Sequence, residues 1–580
     1  MKRLLFFLIA LPIFTSCEDY LDRVQDSAGM QKDEVFTDYN NFRSFQDRMY
    51  QDLLHYLSPG DYSYIAAVSD EGYMSSDWET LPVIQNGDYL RAYNTAQALQ
   101  FNADGVWGAW SSIRILNISL ENLDMLENAS QSQIDQLKGQ AHFMRAWYYY
   151  EFLKRQGGMP YITRSFNASD NFSLPRDSYH ETAMNIVADL DTAAILLPTR
   201  WDEANLGRPT QGAAMALKAS TLLFDASPNN NAGNDVSRWK AAAEASWDLI
   251  EVADAGRYSL VPSNGMDEVK YLTPEGEKSI QFASGFDSIF MYQPTNSEII
   301  WENYNVSRYT DTWNVFSVPS LAPGGVIQGF SPSANIVDMF ETENGLPISD
   351  DPNYDPQNPY VGRDPRFYHS IIFNQERWTS QTGNYMELFE GGEERTGQPH
   401  YSFTGYLARK FWARNIDQWS GATAPNTHVI YFRLADILLQ YAEAANEVGG
   451  PNYSLPGANL TAVEAVDRVR ARVNMPGVAS QFLSDKDTFR ERIKNERAVE
   501  LYLEGKRYFD LKRWRDASDL EHREIYGVEF SEDLSKPTGY SINRTSEPVF
   551  TLTFGDKHYR WPIPLDDATI FPEFNQNPGW

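Results

Sequence analysis

Apolar residues recur at helical spacing through most of this chain, and that periodicity governs what it can fold into. The pattern predicts helices from about Asn41 to Leu57, Trp107 to Leu126, Ser132 to Arg155, Tyr179 to Leu196, Gln211 to Phe224 and Trp239 to Val252. Gly157, Gly158 and Pro160 stop the third of these in the expected way. Later, Ile430, Leu434, Ile437, Leu438, Tyr441 and Ala445 mark a further apolar stripe closed by Gly449, Gly450 and Pro451. Helices over Thr461 to Val473 and Thr488 to Glu504 complete the set. Paired helices of this length, mixing Ala with bulky aromatics, predict tetratricopeptide-like hairpins and a mainly α scaffold.

Between Val261 and Ala424 the stripes fade and Gly, Pro, Asn and Asp become frequent. Short runs there, such as Glu298 to Glu302, read as strands. The stretch from Ser69 to Phe101 has the same irregular character. The expected organisation is a helical scaffold over 41–260 and 425–580, with a loop-rich subdomain over 261–424. Irregular segments held on a rigid scaffold are where binding residues concentrate.

The chain opens with Lys2 and Arg3, an apolar run from Leu4 to Phe14, and the small residues Thr15 and Ser16 before Cys17. That order reads as a secretory signal over residues 1–16. The run would span roughly 16 Å as a helix, too short for a hydrocarbon core about 30 Å thick. Cys17 is the chain's single cysteine, so no internal disulfide forms. Its place resembles a lipobox, with Phe14 where Leu is commoner, and the expectation is an acylated Cys17 followed by a tether over 17–40. Glu18 and Asp19 directly after it resemble the signal that sends such lipoproteins to the outer face of the outer membrane.

A formal net charge of −30 repels nucleic-acid backbones and anionic membrane surfaces, so nucleic acid is excluded as a main partner. Aromatic residues make up 14% of the chain, with 15 Trp and 33 Tyr. Many belong to the core, but a surplus of flat rings with polar edges is also what a sugar-binding surface requires.

Several stretches of the second half resemble the SusD/RagB family. They are Tyr431 to Leu439 with Tyr441 to Ala444, Arg468 to Arg472 with Met475 and Pro476, and Asn495 to Leu501 followed by Glu504 to Trp514. Trp561 to Pro564 and Gln576 to Trp580 are similar to the family's C-terminal ending, with Trp where Tyr is commoner. Val473 and Asn474 add a step the family pattern lacks. The resemblance extends over essentially the whole mature chain. It implies a tetratricopeptide-like scaffold that binds a glycan or, in some members, a peptide. It also implies a SusC-like TonB-dependent outer-membrane transporter, over whose mouth the protein acts as a lid.

The family draws its ligand site from a loop after the first helices and from the irregular insertion. Here those positions offer Asp77, Trp78, Tyr89, Arg91, Tyr93 and Asn94, then Tyr304, Tyr309 and Trp313. The rings are assigned to stacking, and Asp77, Arg91 and Asn94 to hydroxyl recognition.

An exported, aromatic-rich, acidic chain could instead be a glycoside hydrolase. Glu496, Glu500 and Glu504 recur every four residues beside Arg497. Side chains one turn apart point the same way and do not straddle a sugar linkage, so these are expected to be ion-paired scaffold residues. The chain has no Gly-x-Ser-x-Gly elbow, His-Glu-x-x-His helix or P-loop lysine. No cofactor is expected. Asp350, Asp351 and Asp355 with Asn353 offer oxygen ligands for Ca²⁺, though a solvated Pro-rich turn is the favoured reading.

Overall fold

The computed structural model describes residues 32–53, 65–74, 80–92, 103–290, 296–303, 330–377, 385–395, 402–411, 429–571 and 573–580. The first half is a train of helices: α1 (Lys32–Thr37), α2 (Tyr39–Asp47), α3 (Thr80–Gln85), α4 (Tyr89–Ala92), α5 (Ala103–Asn122), α6 (Gln131–Arg155), α7 (Tyr179–Leu196), α8 (Gln211–Ala226) and α9 (Val236–Val252). From α5 to α9 each helix packs against its successor, and α9 passes the stack on to α11 (Leu434–Gly449). That helix in turn packs on α12 (Ala462–Ala471) and α13 (Lys486–Glu500), while α10 (Pro365–Ser370) and α14 (Arg507–Trp514) lie to either side in sequence. This is the predicted helical stack.

Local chemistry fixes the helix starts. Ser130, Ser178 and Thr461 each cap their helix with a reciprocal bond from Gln133, Glu181 and Glu464, three residues on. Buried Ala213, Ala214, Ala216 and Ala219 let α8 approach its neighbours closely. Trp147, Tyr148, Tyr149 and Tyr150 are consecutive and all buried, so the C-terminal half of α6 is enclosed on every side. No helix among the described residues is long and apolar enough to cross a membrane.

Several boundaries differ from the periodicity: the helix predicted from Asn41 to Leu57 is α-helical only to Asp47 and continues as a 3₁₀ turn over Arg48–Asp52, and the one predicted from Trp107 to Leu126 runs from Ala103 to Asn122. Ile430 belongs to a strand, not to the helix its spacing predicted: β6 (Val429–Arg433) pairs antiparallel with β4 (Ile299–Asn303) before α11 begins at Leu434. The run Val-Ile-Tyr-Phe is β-branched and aromatic, and Ile430 stands four before Leu434 by coincidence. Likewise α13 ends at Glu500, so Glu504 and Gly505 lie in a turn and not in a helix. Leu503 (φ 59°) and Gly505 (φ 68°) adopt left-handed backbone there.

The loop-rich stretch carries more regular structure than expected. β2 (Met266–Thr273) and β3 (Gly276–Ala283) form an eight-residue antiparallel hairpin, and the strand at Glu298–Glu302 is β4 shifted by one residue. The stretch is also stitched to the scaffold by buried charge. Glu500 of α13 receives Arg366 at 2.9 Å and Arg433 at 2.6 Å, and contacts Arg472 as well. Glu496 joins Arg366 (2.5 Å) and Arg470 (2.9 Å), and Lys410 meets Glu504 at 2.7 Å. The expected ion pairing of these glutamates is therefore present, and their partners come from four different segments.

Candidate functional site

A short seam gathers the two regions that the sequence marks for binding. β1 (Gly72–Tyr73) pairs antiparallel with β5 (Ser331–Pro332), so Tyr73 lies opposite Ser331. Met74, which precedes the undescribed residues 75–79, and Phe330, which follows the undescribed residues 304–329, thus flank one seam. Phe403 joins them: its N–H donates to Ser331 Oγ at 3.0 Å. The buried Gln85 amide donates to the carbonyls of Ala67 and Met74, at 3.1 and 3.4 Å, and pins α3 to the start of the seam.

Buried charge holds the seam from behind. Asp70 takes a bidentate pair from Arg507 at 2.7 and 2.8 Å, and His522 sits 2.6 Å from the same carboxylate. Burial pushes the Asp70 carboxyl up, but the Arg507 guanidinium outweighs it and holds the group well below the usual range. Next to it, Glu71 has no such cation in contact. Burial lifts its carboxyl to about 7, against the Leu503 N–H that donates to it at 2.8 Å.

In front of these charges stand three half-buried rings. Tyr73 stacks on Phe550 with centroids 5.0 Å apart, and meets Phe403 edge-on at 5.1 Å. A half-exposed ring cluster backed by a rigid strand pair offers apolar faces for the C–H surface of a sugar or for an apolar side chain. Elsewhere, a cleft of about 470 Å³ lies at the root of β4 between residues 200–210 and 256–258. Trp301 forms part of its wall, with its indole N–H donating to the Gly207 carbonyl at 3.0 Å.

Of the residues predicted to bind ligand, Asp77, Trp78, Tyr93, Asn94, Tyr304, Tyr309 and Trp313 lie outside the described residues, as does Cys17. Arg91 is exposed at the end of α4. Tyr89 requires correction. It is only 2% exposed, stacks on Trp580 at 5.7 Å and packs against Trp561 and His558 at 5.0 Å. Both of its faces serve the core, so it is not a ligand platform. The Asp350, Asp351 and Asp355 group does not converge either. Asp351 accepts from Thr342, Asn344 and the Asn353 N–H, Asp350 accepts from Ser349, and Asp355 from the Gln357 N–H. Those bonds make turns, with Asp351 itself buried.

Tyr73, Phe403 and Phe550 escape the sequence reading. Tyr73 sits four residues before Asp77 and was within reach of the same argument, but nothing in spacing links it to Phe403 or Phe550. For hydrolysis, Glu496, Glu500 and Glu504 are unsuited: all three are buried and held by arginines or lysine, with neither solvent nor room for a sugar between them.

Comparison with known proteins gives a consistent answer. A family model described as "SusD family" matches residues 296–580, and one described as "Starch-binding associating with outer membrane" matches residues 19–223. The SusD-like protein P38 of Formosa agariphila is 23% identical over 525 residues, covering 88% of this chain and 91% of its own. Among solved structures, a SusD-like protein from Bacteroides fragilis superposes with a TM-score of 0.70 at 24% identity, over 97% of this chain and 99% of that one. A SusD-like carbohydrate-binding protein from the same species gives 0.67 at 21% identity, over 93% and 100%.

Proposed function

The chain belongs to the SusD/RagB family, and from that we propose that it captures an oligosaccharide at the cell surface and passes it to a SusC-like TonB-dependent transporter, catalysing nothing itself. The observation that supports this reading most directly is the seam. Two regions far apart in sequence meet at β1 and β5, and the half-buried rings of Tyr73, Phe403 and Phe550 stand there. The glutamates of α13, spent in ion pairs, support a non-catalytic role.

Capture for delivery favours modest affinity, because desolvating sugar hydroxyls offsets much of the gain from new contacts. Calorimetry against a panel of neutral oligosaccharides is expected to find a ligand with Kd between micromolar and millimolar, roughly −8 to −4 kcal/mol. Tyr73→Ala, which removes the middle ring, should weaken that ligand by about tenfold, in line with roughly 1 kcal/mol for an aromatic contact. Binding of peptides with no response from any glycan would replace the glycan reading with a peptide-capturing one. Release of shortened sugars by the purified chain would overturn the non-catalytic reading.

The membrane attachment is a proposal of the same kind. Cys17 would carry acyl chains, each buried CH₂ contributing about 0.8 kcal/mol, and more than one chain makes attachment durable. In cells fed an alkyne-tagged palmitate, the intact chain should take up label and sediment with outer membranes. The Cys17→Ser variant should do neither. A label-free, soluble wild-type protein would contradict the anchor.

A further inference from the structure

At the open end of the β2–β3 hairpin, three side chains converge in a manner that neither the scaffold nor ligand capture explains. They are Asp267 near the start of β2, Asp287 just beyond β3, and His369 of α10. Their ligating atoms all lie within 4.8 Å of one another, and they are the one such group among the described residues. From this arrangement we infer that Asp267, Asp287 and His369 form a binding site for a divalent transition-metal ion, with Zn²⁺ the best match.

His369 carries the argument. It is only 3% exposed, and its ring lies edge-on to Phe282 at 5.0 Å with Phe286 at 5.8 Å. Nε2 stands 2.9 Å from the carbonyl oxygen of Ala283. A carbonyl can only accept, so Nε2 carries the hydrogen in that bond. When the ring is neutral, Nδ1 presents its lone pair inward, where it has no hydrogen-bond donor to satisfy it. What it faces is the Asp287 carboxylate, in direct contact. Two acceptors in contact need a cation between them. A ligating histidine whose other nitrogen donates to a backbone carbonyl is the usual arrangement at metal sites, because that bond fixes tautomer and ring orientation.

The donor set selects the ion. One imidazole and two carboxylates suit Zn²⁺ or its first-row neighbours, whereas Ca²⁺ and Mg²⁺ prefer oxygen alone. Bonds of about 2 Å join donors no more than about 4 Å apart, so the three atoms, now within 4.8 Å of one another, would close on one ion through a small adjustment of the carboxylate side chains. Asp267 and Asp287 are half-buried and His369 is enclosed, so the ion would enter from the carboxylate side and keep water in its remaining positions. Bound there, it would tie the hairpin to α10, whose Arg366 is already fixed to Glu496 and Glu500.

The test uses the full chain, stripped with EDTA and titrated with ZnCl₂ at pH 7.5, with calorimetry and thermal melting read in parallel. We expect one equivalent of Zn²⁺ bound at micromolar or tighter Kd, a melting temperature that rises and saturates at that equivalent, and no saturable response to CaCl₂ or MgCl₂. His369→Gln should abolish the one-equivalent heat. Because that residue is enclosed, Asp267→Asn at the half-exposed edge serves as the second variant. It should weaken Zn²⁺ by about tenfold or more with an unchanged far-UV circular dichroism spectrum. Absence of a one-equivalent response in the unaltered chain, or a one-equivalent response of unaltered affinity in both variants, would overturn the site. A proton shared by His369 and Asp287 would then supply the cation.

Discussion

Glu500→Ala is expected to destabilise the folded chain by about 3–5 kcal/mol, which is a large share of the 5–15 kcal/mol that typical domains possess. The reason is the number of cations that depend on one carboxylate. Arg366, Arg433 and Arg472 all meet Glu500, and none of the four side chains is more than 7% exposed. Removing the glutamate leaves buried guanidinium charge undercompensated, and breaking such a set costs far more than the set contributes against an apolar replacement. Urea unfolding followed by tryptophan fluorescence reads the effect. Glu491→Ala on the same helix, solvent-exposed, should change stability by less than about 0.5 kcal/mol. A loss below 1 kcal/mol at Glu500 would mean that water reaches the network.

The acid limb provides an independent reading of the same network. Burial opposes ionisation of Glu500, but Arg472, Arg433 and Arg366 outweigh it and hold the carboxyl well below its usual range. A depressed carboxyl stabilises the fold above its unfolded pKa of about 4.3, and that contribution disappears as pH falls through the folded value. The intact protein should therefore lose stability steeply below pH 4.5, and Glu500→Ala should show a shallower acid limb.

The same network shows what a single sequence exposes. The four-residue spacing of Glu496 and Glu500 beside Arg497 was enough to predict a paired, structural face. Their partners were not legible, because Arg366, Lys410, Arg433, Arg470 and Arg472 come from segments brought together only by the fold. Helix existence was readable for a related reason: its signals are local, since Ser130, Ser178 and Thr461 announce helix starts and long runs free of Pro follow them. The error at Ile430 arose where a buried strand runs directly into a buried helix, since a continuous apolar stretch has no periodicity to separate them.

Site residues were harder to read. Tyr89 and Arg91 are two positions apart in one predicted loop, yet the first is core and the second is exposed. Composition marked both equally. What separates them is the C-terminal segment with Trp561 and Trp580, which packs against one side of α4 and not the other. The Asp267, Asp287 and His369 group was invisible for a similar reason, its members being scattered over about a hundred residues with no ligand spacing.

Glu71→Gln is expected to stabilise the protein at pH 8 by up to about 3 kcal/mol, the reverse of the usual effect of removing a buried charge. The folded carboxyl titrates at about 7, because burial penalises its ionised form and neighbouring Asp70 adds to that penalty, while the Leu503 N–H and the more distant Arg507 only partly oppose them. In the unfolded chain it titrates near 4.3. The folded state therefore binds the extra proton between those values. Stability from this group is full below about pH 4.3, falls as pH rises, and is lost above about pH 7. Glutamine reproduces the protonated form: its oxygen accepts the Leu503 N–H and its amide can donate to Ser69 Oγ, now 3.2 Å from the carboxylate. The variant should thus lack the downward slope between pH 5 and pH 7.5 that urea unfolding finds in the intact protein. The consequence is local as well as global, since the Glu71 carbonyl accepts the Ser333 N–H at 3.0 Å across the seam that carries Tyr73. Hydrogen exchange at the Leu503 and Ser333 amides should quicken from pH 5 to pH 8 beyond its intrinsic pH dependence in the intact chain, and not in Glu71→Gln. Parallel stability curves for the two proteins over that range would show that Glu71 is ionised throughout and that the seam is indifferent to it.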